Sequence, residues 1–205
     1  MKKEKARKIG IMGGTFDPIH NGHIAMAKHC MEHFSLDTVL FIPTGNPPHK
    51  QHGTTDKKLR LEMTRLAVRN LDGFEVSDIE VERSGMTYAF DTLQQLREKY
   101  PDYGFYYIIG ADTLEDLYSW YRIEDVARMT KFLVVGRNGI TSDQLHIAAL
   151  RAREDFGAQL IDAQYVGPDI SSTEIRQRAR QGLSLKGYTT NEVEAFIYRN
   201  ELYKE

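Results

Sequence analysis

Six short runs rich in β-branched and aromatic residues alternate with longer segments of helical period, and no other property of the chain constrains its fold as strongly. The runs are residues 8–12, 38–42, 74–79, 104–109, 131–135 and 158–161. Between them, residues 23–34 carry Ile24, Ala27 and Met31 on one helical face, residues 57–70 carry Leu59, Met63, Leu66 and Ala67, and residues 88–100 carry Leu93 and Leu96. Further helices are predicted near 142–155 and 190–200. Such alternation requires right-handed crossovers, so the expected fold class is α/β: a single, doubly wound, mostly parallel sheet with helices on both faces. Ligands then bind beyond the carboxyl ends of the strands, and the segments just after strands are where chemistry is expected.

Composition narrows the setting. Of 205 residues, 27 are Lys or Arg and 29 Asp or Glu, a formal net charge of −2. Five of the first eight residues are basic and one is acidic, leaving 22 basic against 28 acidic residues in the remainder, so the body has no general attraction for nucleic acid. A chain of this size buries about 70% of its unfolded surface and needs neither metal nor disulfide to hold a core. One domain spanning 1–205 is expected, with 1–7 a basic leader. Cys30 is the sole cysteine, which excludes an internal disulfide and fits a reducing compartment. No apolar stretch approaches the roughly 18 residues of a membrane span, and a cytoplasmic location is expected.

The first strand ends in Gly13-Gly14-Thr15-Phe16-Asp17-Pro18-Ile19-His20-Asn21-Gly22-His23, after which an amphipathic helix begins. Paired glycines let a backbone approach a ligand closely. Asn21 reads as the N-cap, which puts His23 in the first turn, where N–H groups and the helix dipole attract phosphate. There is no GxxxxGK[ST], which excludes a Walker ATPase, and GIMGGT is not GxGxxG, which weakens a dinucleotide dehydrogenase. Two histidines three apart without HExxH are a weak metal signature, and no protein metal site is expected.

Far downstream stands Ile170-Ser171-Ser172-Thr173-Glu174-Ile175-Arg176. Ser171 and Glu174 have capping-box spacing, so a helix starts here; its first-turn N–H groups and the Ser172 and Thr173 hydroxyls form a second anion site beside the Arg176 fork. Capping boxes alone are common and usually structural, and the segment gains weight from its upstream partner.

Together GGTFDPIHNGH and ISSTEIR resemble the two signatures of the HxGH nucleotidyltransferase superfamily. Nearly end to end the chain is similar to the bacterial nicotinate-nucleotide adenylyltransferase family, including IPTGNPPHK at 42–50, Gly110-Ala111-Asp112 and Trp120-Tyr121. One departure stands in Thr87-Tyr88-Ala89, where the family usually has Ser-Tyr-Thr: Ala89 lacks the hydroxyl expected beside a pyridine carboxylate and leaves a backbone amide, with Thr87 in a neighbouring turn.

The resemblance implies a Rossmann-like nucleotidyltransferase fold and transfer of the adenylyl group of ATP to nicotinate mononucleotide, giving nicotinate adenine dinucleotide and pyrophosphate in NAD biosynthesis. It implies catalytic roles for His20, His23 and Arg176, ATP contacts from Gly13, Gly14, Thr15, Phe16, Gly110, Asp112, Ile170, Ser171, Ser172 and Thr173, and acceptor contacts from Lys50, Thr87, Ala89, Trp120 and Tyr121. In isolation a sole tryptophan is by default a core residue; its place after Gly-Ala-Asp reverses that. Magnesium is expected to ride with ATP, and the partners are small-molecule substrates, with no nucleic acid and no membrane. Other readings are the same chemistry on nicotinamide mononucleotide, phosphopantetheine or FMN, and a nucleotide-sensing module without turnover. A synthetase fragment, suggested by the likeness of HNGH to HIGH, fails on the ISSTEIR partner.

Overall fold

The structure, a computed structural model, describes residues 7–46, 53–136 and 141–204. Strands β1 (Lys8–Gly14), β2 (Thr38–Pro43), β3 (Phe74–Val76), β4 (Gly104–Gly110), β5 (Lys131–Gly136) and β6 (Leu160–Val166) form a six-stranded sheet in the order β3-β2-β1-β4-β5-β6. β4 pairs in parallel with β1 and with β5, and β5 pairs in parallel with β6. Helices α1 (Asn21–Phe34), α2 (Lys57–Val68), α3 (Ala89–Lys99), α4 (Ile123–Met129) and α5 (Ser142–Phe156) fall between strands, and α6 (Ser172–Arg180) and α7 (Asn191–Arg199) follow the last one. The strand order reverses between β1 and β4, as in a doubly wound α/β sheet, and the α/β expectation holds.

Local chemistry explains most boundaries. Asp56 caps α2 through the Lys58 N–H, a Thr141/Gln144 capping box opens α5, and Thr190 caps α7 through the Val193 N–H. Gly157, in the left-handed region at φ 72°, closes α5, so the final strand starts at Leu160 and runs to Val166 rather than over the expected 158–161. That strand lies at the edge of the sheet, and Ala163 is its one buried residue, which leaves little apolar signal. β3 is shorter than expected, ending at Val76.

Two compact units, each discontinuous in sequence, divide the chain: Met1–Met12 with Met26–Leu40 and Tyr88–Gly167, and Gly13–Ala25 with Phe41–Thr87 and Pro168–Glu205. The core of the first is built on Ile9, Ile11, Leu93, Leu96, Ile108, Phe132 and Leu133. The core of the second is built on Phe41, Ile42, Met63, Ile175, Leu185, Val193 and Ile197. On α2 the buried stripe is Arg60, Leu61, Met63, Thr64, Ala67 and Val68, so the expected face is rotated: Leu59 and Leu66 are only half-buried, and a guanidinium is inside. The first six residues of the expected leader lie outside the described residues; Arg7 is exposed and donates to the Tyr103 hydroxyl at 3.1 Å. Among the described residues no helix is long and apolar enough to cross a membrane.

Candidate active site

The loop leaving β1 belongs to the second unit. A Cβ on Gly14 would stand 2.8 Å from the Phe16 ring, so this glycine makes room for Phe16. Phe16 adopts φ 50°, a left-handed conformation that costs a bulky residue about 1–3 kcal/mol and persists only where neighbours over-determine it. Its ring is buried, edge-on to His23 at 5.0 Å and tilted against Phe41 at 6.0 Å.

At the start of α1 the two histidines cap one another. The His23 N–H donates to His20 Nδ1 at 3.3 Å, and the His20 N–H donates to His23 Nδ1 at 3.3 Å. This is a capping box with His20 at the N-cap and His23 three residues on, in place of the expected Asn21 cap. Asn21 is instead the first helical residue, and its side-chain amide donates to the Gly187 carbonyl at 2.9 Å while its N–H donates to the Tyr188 carbonyl at 2.8 Å. Because each Nδ1 accepts from a backbone donor, the proton of each neutral imidazole sits on Nε2. The rings stack at 3.6 Å with an interplanar angle of 19°. The motif's glycine has a reason here: a Cβ on Gly22 would lie 2.9 Å from His20 Nδ1 and 3.1 Å from its Cε1.

The downstream signature meets this loop within the same unit. Ser171 caps α6, accepting from the Glu174 N–H at 3.2 Å as its spacing predicts. The Ser172 hydroxyl donates to the Pro18 carbonyl at 2.9 Å, so its proton fastens the two signatures together. Arg176 donates through Nη1 to the Asp17 carbonyl at 2.8 Å and through Nη2 to the Thr173 hydroxyl oxygen at 3.2 Å. The Ile170 N–H is held by the Pro168 carbonyl at 2.9 Å. Thr15, Phe16, Asp17, His23, Gly53, Thr54, Ser172 and Arg176 line a cleft of about 310 Å³. His23 and Arg176 therefore reach the cleft, whereas His20, 4% exposed, is not among its lining residues.

Two contributors carry no motif signal. Arg60, 2% exposed, donates through Nε to the Thr55 carbonyl at 2.9 Å, through Nη1 to that of Thr15 at 2.5 Å and through Nη2 to that of Gly45 at 3.1 Å. Burial pulls its pKa down, and the field of Asp17, first among nearby acidic groups, opposes that. Tyr203 donates its hydroxyl to Asp17 Oδ1 at 2.7 Å; burial, then the Asp17 charge, push its pKa up. The helical spacing of Arg60 with Met63 and Ala67 is the one available sequence sign of the first, and nothing local marks the second.

In the first unit, Gly110 ends β4 and Asp112, exposed, lies in the 3₁₀ turn Ala111–Thr113. A second such turn, Asp116–Ser119, and the short helix α4 were not expected from the sequence. Ala89 is the first residue of α3, whose N-cap Tyr88 makes no side-chain cap bond, so Ala89 presents its amide at a helix N-terminus. Trp120 is half-buried, edge-on to Tyr107 at 5.3 Å and Phe132 at 6.1 Å; Tyr121 is exposed and packs against Tyr88 at 4.8 Å and Phe90 at 6.2 Å. Thr87, in the second unit, is buried, and among the described residues its hydroxyl has no hydrogen-bond partner, while its N–H donates to the Asn46 carbonyl at 3.1 Å. Lys50 lies outside the described residues. Among the described residues no three His, Cys, Asp or Glu side chains gather as a cation site. With both oxygens of the Asp17 carboxylate engaged by Tyr203 and Thr55, the cleft offers imidazole, guanidinium and hydroxyl groups, which suit an oxyanion.

The cytidylyltransferase-like family profile matches residues 11–178. The chain is 36% identical over 199 residues to a Clostridium tetani protein named "Probable nicotinate-nucleotide adenylyltransferase", covering 97% of this chain and 100% of that one. It is 39% identical over 196 residues to a protein of the same name from Exiguobacterium sibiricum, covering 96% and 98%. The solved structure of Plasmodium falciparum nicotinic acid mononucleotide adenylyltransferase complexed with NaAD shares the fold at a TM-score of 0.77, with 23% identity over 97% of this chain and 98% of that one.

Proposed function

The chain belongs to the cytidylyltransferase-like family and, within it, to the nicotinate-nucleotide adenylyltransferases, and on that premise we propose that it transfers the adenylyl group of ATP to nicotinate mononucleotide, releasing pyrophosphate. The observation that carries this reading is the cleft that His23 from the first signature and Ser172 and Arg176 from the second line together.

The attacking group is a phosphate monoester with a second pKa near ~6, already mostly dianionic at neutral pH, so no protein base or nucleophile is needed. The protein supplies alignment and positive potential along the ATP phosphates. His23, its Nδ1 occupied by the His20 N–H, donates Nε2–H to a phosphate oxygen; His20, with the same tautomer, holds His23 in place and adds a second donor as the phosphates settle. Arg176 and the α6 N-terminus, with Thr173, take the end from which pyrophosphate leaves. Gly13, Gly14, Thr15 and Phe16 shape the floor, and Gly110 and Asp112 serve the ribose. Both oxygens of the Asp17 carboxylate that lines the cleft are engaged by the Tyr203 hydroxyl and the Thr55 N–H, so magnesium would be held by ATP itself and would supply charge neutralisation there. For the acceptor, Trp120 stacks on the pyridine ring, and the N-terminal amides of α3 at Ala89 and the amide of Tyr121 receive its carboxylate. The reaction runs in the cytoplasm on small-molecule substrates.

Incubating the protein with ATP, magnesium and a panel of phosphate acceptors, with the dinucleotide identified by mass, tests the reading. Nicotinate adenine dinucleotide is the expected product; equal or better use of nicotinamide mononucleotide would remove the acid assignment, and no dinucleotide from any acceptor would remove the activity.

A further inference from the structure

Resting on the adenylyl-transfer reading, we propose that Arg60 and Tyr203 are positioning residues for the reaction, holding the Thr15-Phe16-Asp17 segment in the backbone conformation that forms the phosphate cleft.

The segment cannot be held by its own preferences. Phe16 stands in the left-handed region at φ 50°, where a large aromatic residue is rarely found, and it lies between two residues that line the cleft with it. Each neighbour is fastened from outside. On one side, Arg60 draws the Thr15 carbonyl to its guanidinium, together with those of Gly45 and Thr55, so one buried fork joins the segment after β1 to two points of the segment between β2 and α2. A carbonyl turned toward Arg60 is a carbonyl whose negative end does not face a phosphate. On the other side, both oxygens of the Asp17 carboxylate are engaged, Oδ1 by the Tyr203 hydroxyl at 2.7 Å and Oδ2 by the Thr55 N–H at 3.2 Å. The Asp17 carbonyl accepts from Arg176, so any displacement of Asp17 is passed to the cationic wall of the cleft.

The approach of Tyr203 is itself costly to the chain. Glu201 and Tyr203, neither of them glycine, are left-handed at φ 53° and 65°. Two such residues close together bring one hydroxyl onto Asp17, and conformations of this kind persist where the surroundings fix them. Neither Arg60 nor Tyr203 lines the cleft, so both act through the residues they hold.

Tyr203→Phe, Arg60→Lys and a control, Tyr198→Phe, are compared in the full chain. Tyr198 donates its hydroxyl to the Leu183 carbonyl, so its removal deletes a bond of the same kind that does not end on the cleft. Tyr203→Phe is expected to lower kcat about tenfold with KM for both substrates within about twofold. Amide hydrogen exchange of ligand-free residues 13–20 is expected to speed up. Arg60→Lys keeps the charge but loses the fork, and loses at least as much kcat. Tyr198→Phe lowers Tm with kcat and exchange at 13–20 unchanged. Wild-type kcat and exchange in Tyr203→Phe overturn the proposal, as does an equal kcat loss in Tyr198→Phe at equal Tm. If the wild-type chain makes no dinucleotide the adenylyl-transfer reading fails, and exchange at 13–20 alone then decides whether these residues hold the loop.

Discussion

Replacing Gly22 with alanine separates stability from turnover in a way the geometry makes quantitative. In most helices the change is favourable, because alanine exceeds glycine in helix propensity by about 1 kcal/mol. Here the new methyl would stand 2.9 Å from His20 Nδ1 and 3.1 Å from Cε1. The ring cannot swing outward, since His20 is 4% exposed and stacked on His23 at 3.6 Å, so it shifts and stretches the reciprocal cap. Losing an N-cap costs about 0.5–2 kcal/mol, which nearly offsets the propensity gain. For a chain of this size 1 kcal/mol moves Tm by about 2–4 °C, so Gly22→Ala should melt within about 5 °C of the wild type. Turnover has no such offset: the imidazole donors are displaced from the phosphates, and a small misplacement of catalytic groups costs up to about 10²-fold. The expected result is a kcat reduced about 30- to 100-fold in a protein of near-normal Tm, measured as dinucleotide formed from ATP and nicotinate mononucleotide. Wild-type turnover in Gly22→Ala would refute the argument that the glycine exists to seat His20.

His23→Ala should lower kcat about 10²- to 10³-fold, as expected for removal of one preorganised donor to developing charge, with little change in acceptor KM; a folded variant with normal turnover would return His23 to a packing role. Trp120→Ala should raise KM for nicotinate mononucleotide roughly 5- to 150-fold and leave that for ATP nearly unchanged, and its ring-edge contacts with Tyr107 and Phe132 mean that Tm falls too; equal effects on both substrates would contradict the stacking role. Burial pushes the Cys30 thiol up to about 12, so at pH 8 a thiol reagent should not label the folded chain and should label it fully in denaturant; rapid native labelling would show that the α1 face is open.

How much of this was readable before the structure depended on whether the stabilising interaction is local. β1, β2, β4 and β5 lie within a residue or two of their apolar runs, because these strands are buried and leave a concentrated signal. β6 runs along an edge with Ala163 alone buried, so its alternation is weak and its start was misplaced. The seven-residue helix α4 follows a left-handed Arg122 and is too short to show a period. At the site, Ser171 was identified as a cap because its partner is three residues away. Asn21 reads as one because its type favours caps, whereas its amide is committed to Gly187 in a distant loop. Tyr203 reaches Asp17 across 186 residues, and no spacing rule spans that distance.

The histidine pair shows why a motif of this form needs those residue types. The same chain builds ordinary capping pairs elsewhere, Thr141 with Gln144 on α5 and Ser171 with Glu174 on α6. A Ser or Thr with Glu at the start of α1 would satisfy the same backbone donors but place a carboxylate at the helix end that lines the cleft, where it would repel phosphate. Glutamine avoids the charge, yet its oxygen accepts from the backbone through a flexible stem. Imidazole carries an acceptor and a donor on opposite sides of one rigid ring, so Nδ1 can close the cap while Nε2–H faces an anion. Stacking at 3.6 Å then aligns two such rings, and the small residue between them is what lets the first ring approach the helix. Substituting His20 by asparagine isolates this argument: the amide oxygen can keep the cap from the N-cap position, so Tm should stay near wild type, while the second ring donor is lost and kcat should fall about 10²-fold. A His20→Asn variant with full turnover would show that His20 serves the helix alone and that only His23 meets the phosphates.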